Sequence, residues 1–140
     1  MYDTLKIIHF FCLYAAGGAG LGSAVVVASA VRQGRRPGPA EAPLLRVFGK
    51  IGAVAIVVIW LSGLAMTFMA WGGGAGLGWP FHVKLAGAAL VLLAVGVMTF
   101  LSASARRAGR APDPARMKPL SMVALAGTVI AVIFAVITFA

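Results

Sequence analysis

Acidic residues are nearly missing from this chain. Asp3, Glu41 and Asp113 are the three it has in 140 residues, and none falls inside an apolar run. A carboxylate proton relay, a two-carboxylate hydrolase and a carboxylate-held Mg²⁺ site therefore lack their donors. No Ser/His/Asp set is visible. The single cysteine, Cys12, allows no internal disulfide and sits in an apolar run. Charge of either sign is scarce: charged residues make up 11% and hydrophobic ones 61%, with a mean hydropathy of +1.01. A soluble domain carries about 25% charged and about 45–50% apolar residues. A soluble globular enzyme and a disordered chain are both excluded.

What is present is long uncharged runs. Ile7–Val31, Ile51–Val83, Leu85–Ala105 and Pro119–Ala140 contain no Asp, Glu, Lys or Arg. About 20 residues of helix cross a hydrocarbon core of roughly 30 Å. The second run is too long for one crossing, and Trp71-Gly72-Gly73-Gly74-Ala75-Gly76-Leu77-Gly78-Trp79-Pro80 breaks it. Lipid offers backbone groups no partners, so each span must be helical. The expected fold is all-α: a four-helix transmembrane bundle in one domain over 1–140. Its helices cover about 5–31, 45–70, 80–104 and 119–140, with Pro80 suited to a first helical position.

The net charge of +9 would point to nucleic acid in a soluble chain. Its distribution points to topology instead. Arg32, Arg35, Arg36, Arg46 and Lys50 connect helices 1 and 2, and Arg106, Arg107, Arg110, Arg116 and Lys118 connect helices 3 and 4. The 2–3 connection has no basic residue. The loops 32–44 and 105–118 are therefore expected in the cytoplasm and both termini outside. The expected partners are the lipid bilayer, with its anionic headgroups, and either a second copy or a membrane redox partner, not nucleic acid. The expected location is multi-pass, in a bacterial inner (plasma) membrane. Ala28-Ser29-Ala30 resembles a signal cleavage site. The run before it is too long for a signal peptide, and its charged flank is on the wrong side, so it is read as helix 1.

A shift of 75 residues lays Ala28–Ala40 over Ala103–Ala115 with nine of thirteen positions identical, and Gly52 over Gly127. Two pseudo-repeated helical hairpins, related by an axis along the membrane normal, would produce such a match. Shared loop composition is the competing explanation. Gly17–Gly22 and Gly74-Ala75-Gly76 superficially resemble phosphate loops but lack the βαβ setting. They are read as close helix packing, with Gly18 and Gly22 forming a GxxxG pair.

The polar residues left are His9, Cys12, His82 and Lys84, with Lys6 nearby. In this topology His9 and His82 lie at one membrane depth, near the outer face. On helix 1 the stripe His9, Cys12, Leu13, Ala16, Gly20, Val27 is read as the packed face. His82 and Lys84 stand about 200° apart on helix 3, so one of them faces inward; the 75-residue shift sets Lys84 where His9 is. Snorkelling is the alternative for Lys84, and an interfacial hydrogen bond for each histidine. The functional alternative is a metal or haem site between facing helices, with His9 and His82 as metal ligands and Lys84 as a further cofactor contact. Met66 and Met69 are read as packing. The partner of His9 is expected to be haem iron or, failing that, a hydrogen-bonding group on helix 3.

Leu5-Lys6-Ile7-Ile8-His9 resembles the start of HemJ-type protoporphyrinogen IX oxidases and the related CopD-like and DUF2269-like membrane proteins. Trp79-Pro80-Phe81-His82-Val83-Lys84-Leu85 is similar to their Trp-Leu-His-x-Lys-Leu element. The resemblance implies a haem b protein with His9 as an axial ligand and Lys84 as a functional residue. Gly17–Gly22 stand where the HemJ type continues with Trp, Arg and His, and Gly96-Val97-Met98-Thr99 where it has Tyr-His. What is carried over is thus haem b binding, in haem metabolism or electron transfer, rather than protoporphyrinogen oxidation. The alternative function is a membrane bundle without cofactor, an assembly subunit or a small transporter component.

Overall fold

The computed structural model describes every residue except Ala75, Ala111 and Ala140, and every side chain but those and Pro114 and Phe139. The described chain is all-helical: α1 (Tyr2–Arg32), α2 (Ala42–Trp71), α3 (Gly78–Arg107) and α4 (Pro114–Phe139). All four are long and apolar enough to cross a membrane. This is a small integral membrane protein. Each helix is longer than the sequence pattern predicts. The 31 residues of α1 extend about 46 Å at 1.5 Å each, which exceeds the roughly 30 Å of hydrocarbon. Most of the excess turns carry cations: Arg32 ends α1, Arg106 and Arg107 end α3, and Arg116 and Lys118 open α4. Most of the basic residues assigned to loops are therefore helical. Ala28-Ser29-Ala30 lies within α1.

Two compact units form, Met1–Met66 and Thr67–Ala140. In the first, α1 and α2 run antiparallel, as His9 meets Ser62 and Gly22 meets Phe48. In the second, α3 and α4 do the same, as Trp79 stacks edge-on against Phe134 and Gly87 abuts Gly127.

Apolar residues surround every helix, so hydrophobicity cannot mark the packed face. Size marks it instead. Ala19, Ala30, Ala55, Gly87, Ala94 and Gly127 are buried, while Leu21, Val54, Leu93, Phe100 and Leu125 are exposed. Lipid solvates large side chains as well as the protein interior does, and small ones let backbones approach. Among the buried and half-buried positions, one series on each helix advances alternately by three and four residues. On α1 it is His9, Cys12, Ala16, Ala19, Ser23, Val26 and Ala30; on α2, Phe48, Gly52, Ala55, Ile59, Ser62 and Met66. On α3, Lys84, Gly87, Val91, Ala94, Met98 and Leu101 keep the same spacing, and on α4 Leu120, Ala124, Gly127, Ala131, Phe134 and Thr138. This is a seven-residue seam, as in left-handed coiled coils. It corrects the stripe read from the sequence. Leu13, Gly20 and Val27 are exposed; spaced by seven, they run parallel to the seam, one position to its side.

The glycines also divide differently than expected. Gly72, Gly73, Gly74 and Gly78 all have positive φ, so the run after Trp71 is turn chemistry before it is packing. Gly74 does both: an added Cβ would lie 2.6 Å from the buried Phe81 ring. Ala75 lies outside the described residues. The Gly18/Gly22 pair does not act as a pair. A Cβ on Gly22 would meet the Phe48 ring at 2.7 Å, whereas one on Gly17, Gly18 or Gly20 meets nothing within 4 Å.

The 75-residue match acquires a local meaning. Gly34 (φ 68°) and Gly109 (φ 67°) end α1 and α3 in the left-handed conformation. Arg35 N–H bonds the Ala30 carbonyl at 3.1 Å, and Arg110 N–H bonds the Ala105 carbonyl at 2.9 Å. These are the 6→1 bonds of a Schellman motif, 75 residues apart. Ala111, matched to Arg36, lies outside the described residues. The equivalence stops at the loops. The shift would set Cys12 opposite Gly52, as Gly87 is opposite Gly127. With His9 at Ser62 and Gly22 at Phe48, the residue facing Cys12 lies near Ile59, about two turns from Gly52. The two hairpins end alike and pack in different registers.

Candidate functional site

His9 is half-buried on the α1 seam. Its Nδ1 lies 2.9 Å from Oγ of Ser62, a buried residue on the α2 seam. This partner sits on the second helix, where the sequence reading looks to the third. Ser62 Oγ donates to the Val58 carbonyl at 2.7 Å and also approaches that of Ile59 at 3.2 Å. With its one hydrogen directed to the backbone, its lone pair can receive the Nδ1–H of His9, an arrangement that belongs to the tautomer whose basic nitrogen is Nε2. Gly63 makes room: a Cβ there would lie 3.3 Å from His9 Cε1. The edge of Phe10 flanks the imidazole, with centroids 6.3 Å apart.

His82 and Lys84 belong to the second unit. The His82 side chain is exposed, edge-on to Phe81 at 5.9 Å between centroids. Lys84 is half-buried on the α3 seam, one turn from Gly87, with Nζ 5.9 Å from the Phe81 ring centroid. Of the two, Lys84 is the one on the packed face. The Phe81 ring touches both, and it is itself buried against Gly74. Cys12 is half-buried, one turn after His9. Among the described residues, no group of three or more His, Cys, Asp or Glu could hold a metal ion. A metal site on the histidines thus gains no third ligand from among the described residues. A haem, which asks one or two axial residues of the protein, makes no such demand.

Ser62 and Gly63 were legible in principle. They interrupt the longest apolar run, and a buried hydroxyl in a membrane helix seeks a partner. The choice of helix was not legible, because it depends on the register of α1 against α2.

Known protein families, curated proteins and solved structures contain no match to the chain.

Proposed function

We propose that this integral membrane protein binds haem b through His9, in haem metabolism or electron transfer. The observation that carries the reading is the anchored imidazole. A metal-bound histidine characteristically donates its second ring N–H to a protein acceptor, which orients the ring and raises its basicity. Ser62 supplies that acceptor at 2.9 Å, directing the lone pair to Nε2. His82 and Lys84 remain the other candidate cofactor residues of the sequence. Bound haem would supply one-electron redox chemistry; the chain supplies His9, the Ser62 acceptor and an apolar surround. The HemJ-type resemblance of Leu5–His9 and Trp79–Leu85 favours the same cofactor. The basic loops then face the cytoplasm of a bacterial inner membrane, with the termini outside.

A second reading has its own support. His9 and Ser62 satisfy each other, and an interhelical hydrogen bond of this kind also serves simply to join two membrane helices. In that case the protein is a cofactor-free bundle. A pyridine haemochrome assay on purified protein separates the two. Haem binding predicts a Soret band lost in His9→Ala and a haem affinity lowered roughly 10–100-fold in Ser62→Ala. A colourless wild-type protein that takes up no added haemin refutes it.

A further inference from the structure

On α1, the side turned away from the seam carries an open groove of about 470 Å³ lined by Val25, Ala28, Ser29, Arg32 and Gln33. Its composition is graded along the helix. Val25 and Ala28 make an apolar floor, and Ser29, Arg32 and Gln33 follow within the last two turns, where α1 leaves the hydrocarbon. The polar end is a set of donors. Arg35 Nε donates to Gln33 Oε1 at 2.9 Å, which occupies the amide oxygen and leaves the NH₂ as the donating end. Arg35 is itself held by Glu41 at 2.6 Å. The one carboxylate of this loop is thus spent on Arg35, while Arg32 has no carboxylate partner among the described residues.

We infer that this groove is a binding site for an anionic phospholipid. The phosphate is held by the Arg32 guanidinium, the Ser29 hydroxyl and the Gln33 amide, and the start of an acyl chain lies on Val25 and Ala28. An amphipathic groove in a membrane helix with a cation at its polar rim matches that ligand in both charge and polarity. The protein contains its own control. The 75-residue match places Phe100 at the position of Val25, Ser104 at Ser29, Arg107 at Arg32 and Ala108 at Gln33. Both helices end in the same Schellman turn, and Arg107 is exposed like Arg32. At the end of α3, though, a large aromatic side chain replaces the floor and a methyl replaces the amide donor.

The test is lipid retention. The full-length protein is purified from nanodiscs of equal phosphatidylglycerol and phosphatidylcholine, and bound lipid is read by native mass spectrometry. The wild type is expected to retain phosphatidylglycerol preferentially. Arg32→Gln is expected to lower that preference about fivefold, the worth of one basic residue at an anionic surface. Val25→Phe, which fills the floor and leaves every charge in place, should do the same. Arg107→Gln should leave it unchanged. Equal losses in Arg32→Gln and Arg107→Gln would mean that net charge alone is read, and the groove would be refuted. Full retention by Val25→Phe refutes it as well. Displacement of the lipid by millimolar inorganic phosphate would show that the phosphate alone is recognised and would overturn the lipid assignment.

Discussion

The two helical hairpins solve one problem in two ways. The α1–α2 pair meets through side chains: His9 hydrogen-bonds Ser62, and the Phe48 ring lies over Gly22. The α3–α4 pair adds to its Trp79–Phe134 ring contact a meeting of backbones. A Cβ on Gly87 would lie 2.9 Å from the Gly127 carbonyl oxygen, and one on Gly127 would lie 2.8 Å from that of Gly87. In lipid no hydrophobic force distinguishes a neighbouring helix from an acyl chain, so association rests on close contact and on polar pairing. The second hairpin uses the first means and the first hairpin uses the second. A polar pair can be recruited for chemistry, whereas a glycine contact has no side chain to offer. The candidate cofactor ligand His9 accordingly lies on the seam of the hairpin joined by polar groups.

The largest expected effect is at the backbone contact. Gly87→Ala or Gly127→Ala forces a methyl against main-chain atoms that cannot turn aside, at a cost of about 1–3 kcal/mol. Gly22→Ala should cost less, since the Phe48 ring can swing away. Gly17→Ala and Gly20→Ala meet nothing and should stabilise α1 by about 0.5–1 kcal/mol through helix propensity. Denaturation in mixed micelles gives this order directly. Equal costs at Gly22 and Gly87 would erase the distinction between the hairpins.

Next in size is the polar pair. Ser62→Ala should destabilise the protein by about 1 kcal/mol, the range measured for interhelical hydrogen bonds in membranes. A double-mutant cycle with His9→Ala isolates the coupling. A coupling near zero would leave the first hairpin held by apolar contact alone, and the anchored tautomer of His9 would go with it.

The spans were legible because they depend on composition: an uncharged run of sufficient length has few alternatives in lipid. The ends of the helices were less so. Arg106, Arg107, Arg116 and Lys118 look like loop residues in a sequence, yet they lie in helices, and long basic side chains can reach water from inside one. The packed face was legible only in part. His9, Cys12 and Ala16 lie on it, but Gly20 and Val27 do not: they repeat every seven residues beside the seam, and a helix that is apolar all round does not mark which of two neighbouring rows is packed. At the site, His9 was legible as the lone strong polar group of its span. Ser62 was not assigned to it, since pairing across two helices is a matter of register. The match of Ala28–Ala40 to Ala103–Ala115 was visible at once. What it encodes is a way of stopping a helix, through Gly34 and Gly109, rather than a way of packing one.

The smallest effect is expected at the α1–α2 loop, and it sharpens the comparison at the ends rather than at the seams. Glu41 accepts from the Arg35 guanidinium at 2.6 Å and from Gly38 N–H at 2.7 Å. In the α3–α4 connection Asp113 instead accepts from Ala115 N–H and lies 3.7 Å from Arg116, and among the described residues no side chain bonds across the loop. The Arg35 side chain, first, and the Gly38 amide hold the Glu41 carboxyl below its ordinary value of 4.5. A depressed carboxylate contributes its tie above the unfolded-state value and loses it as pH falls through the lower folded-state value. The loop should therefore stay closed throughout the neutral range and open only below 4.5. The Gly38 amide resonance, followed by NMR during acid titration, should move with a midpoint under that value and should cease to titrate in Glu41→Gln. A midpoint at or above the ordinary value would mean that Arg35 is not paired with Glu41 in solution. Gln33 would then lose its fixed orientation, and the lipid groove on α1 one of its three donors.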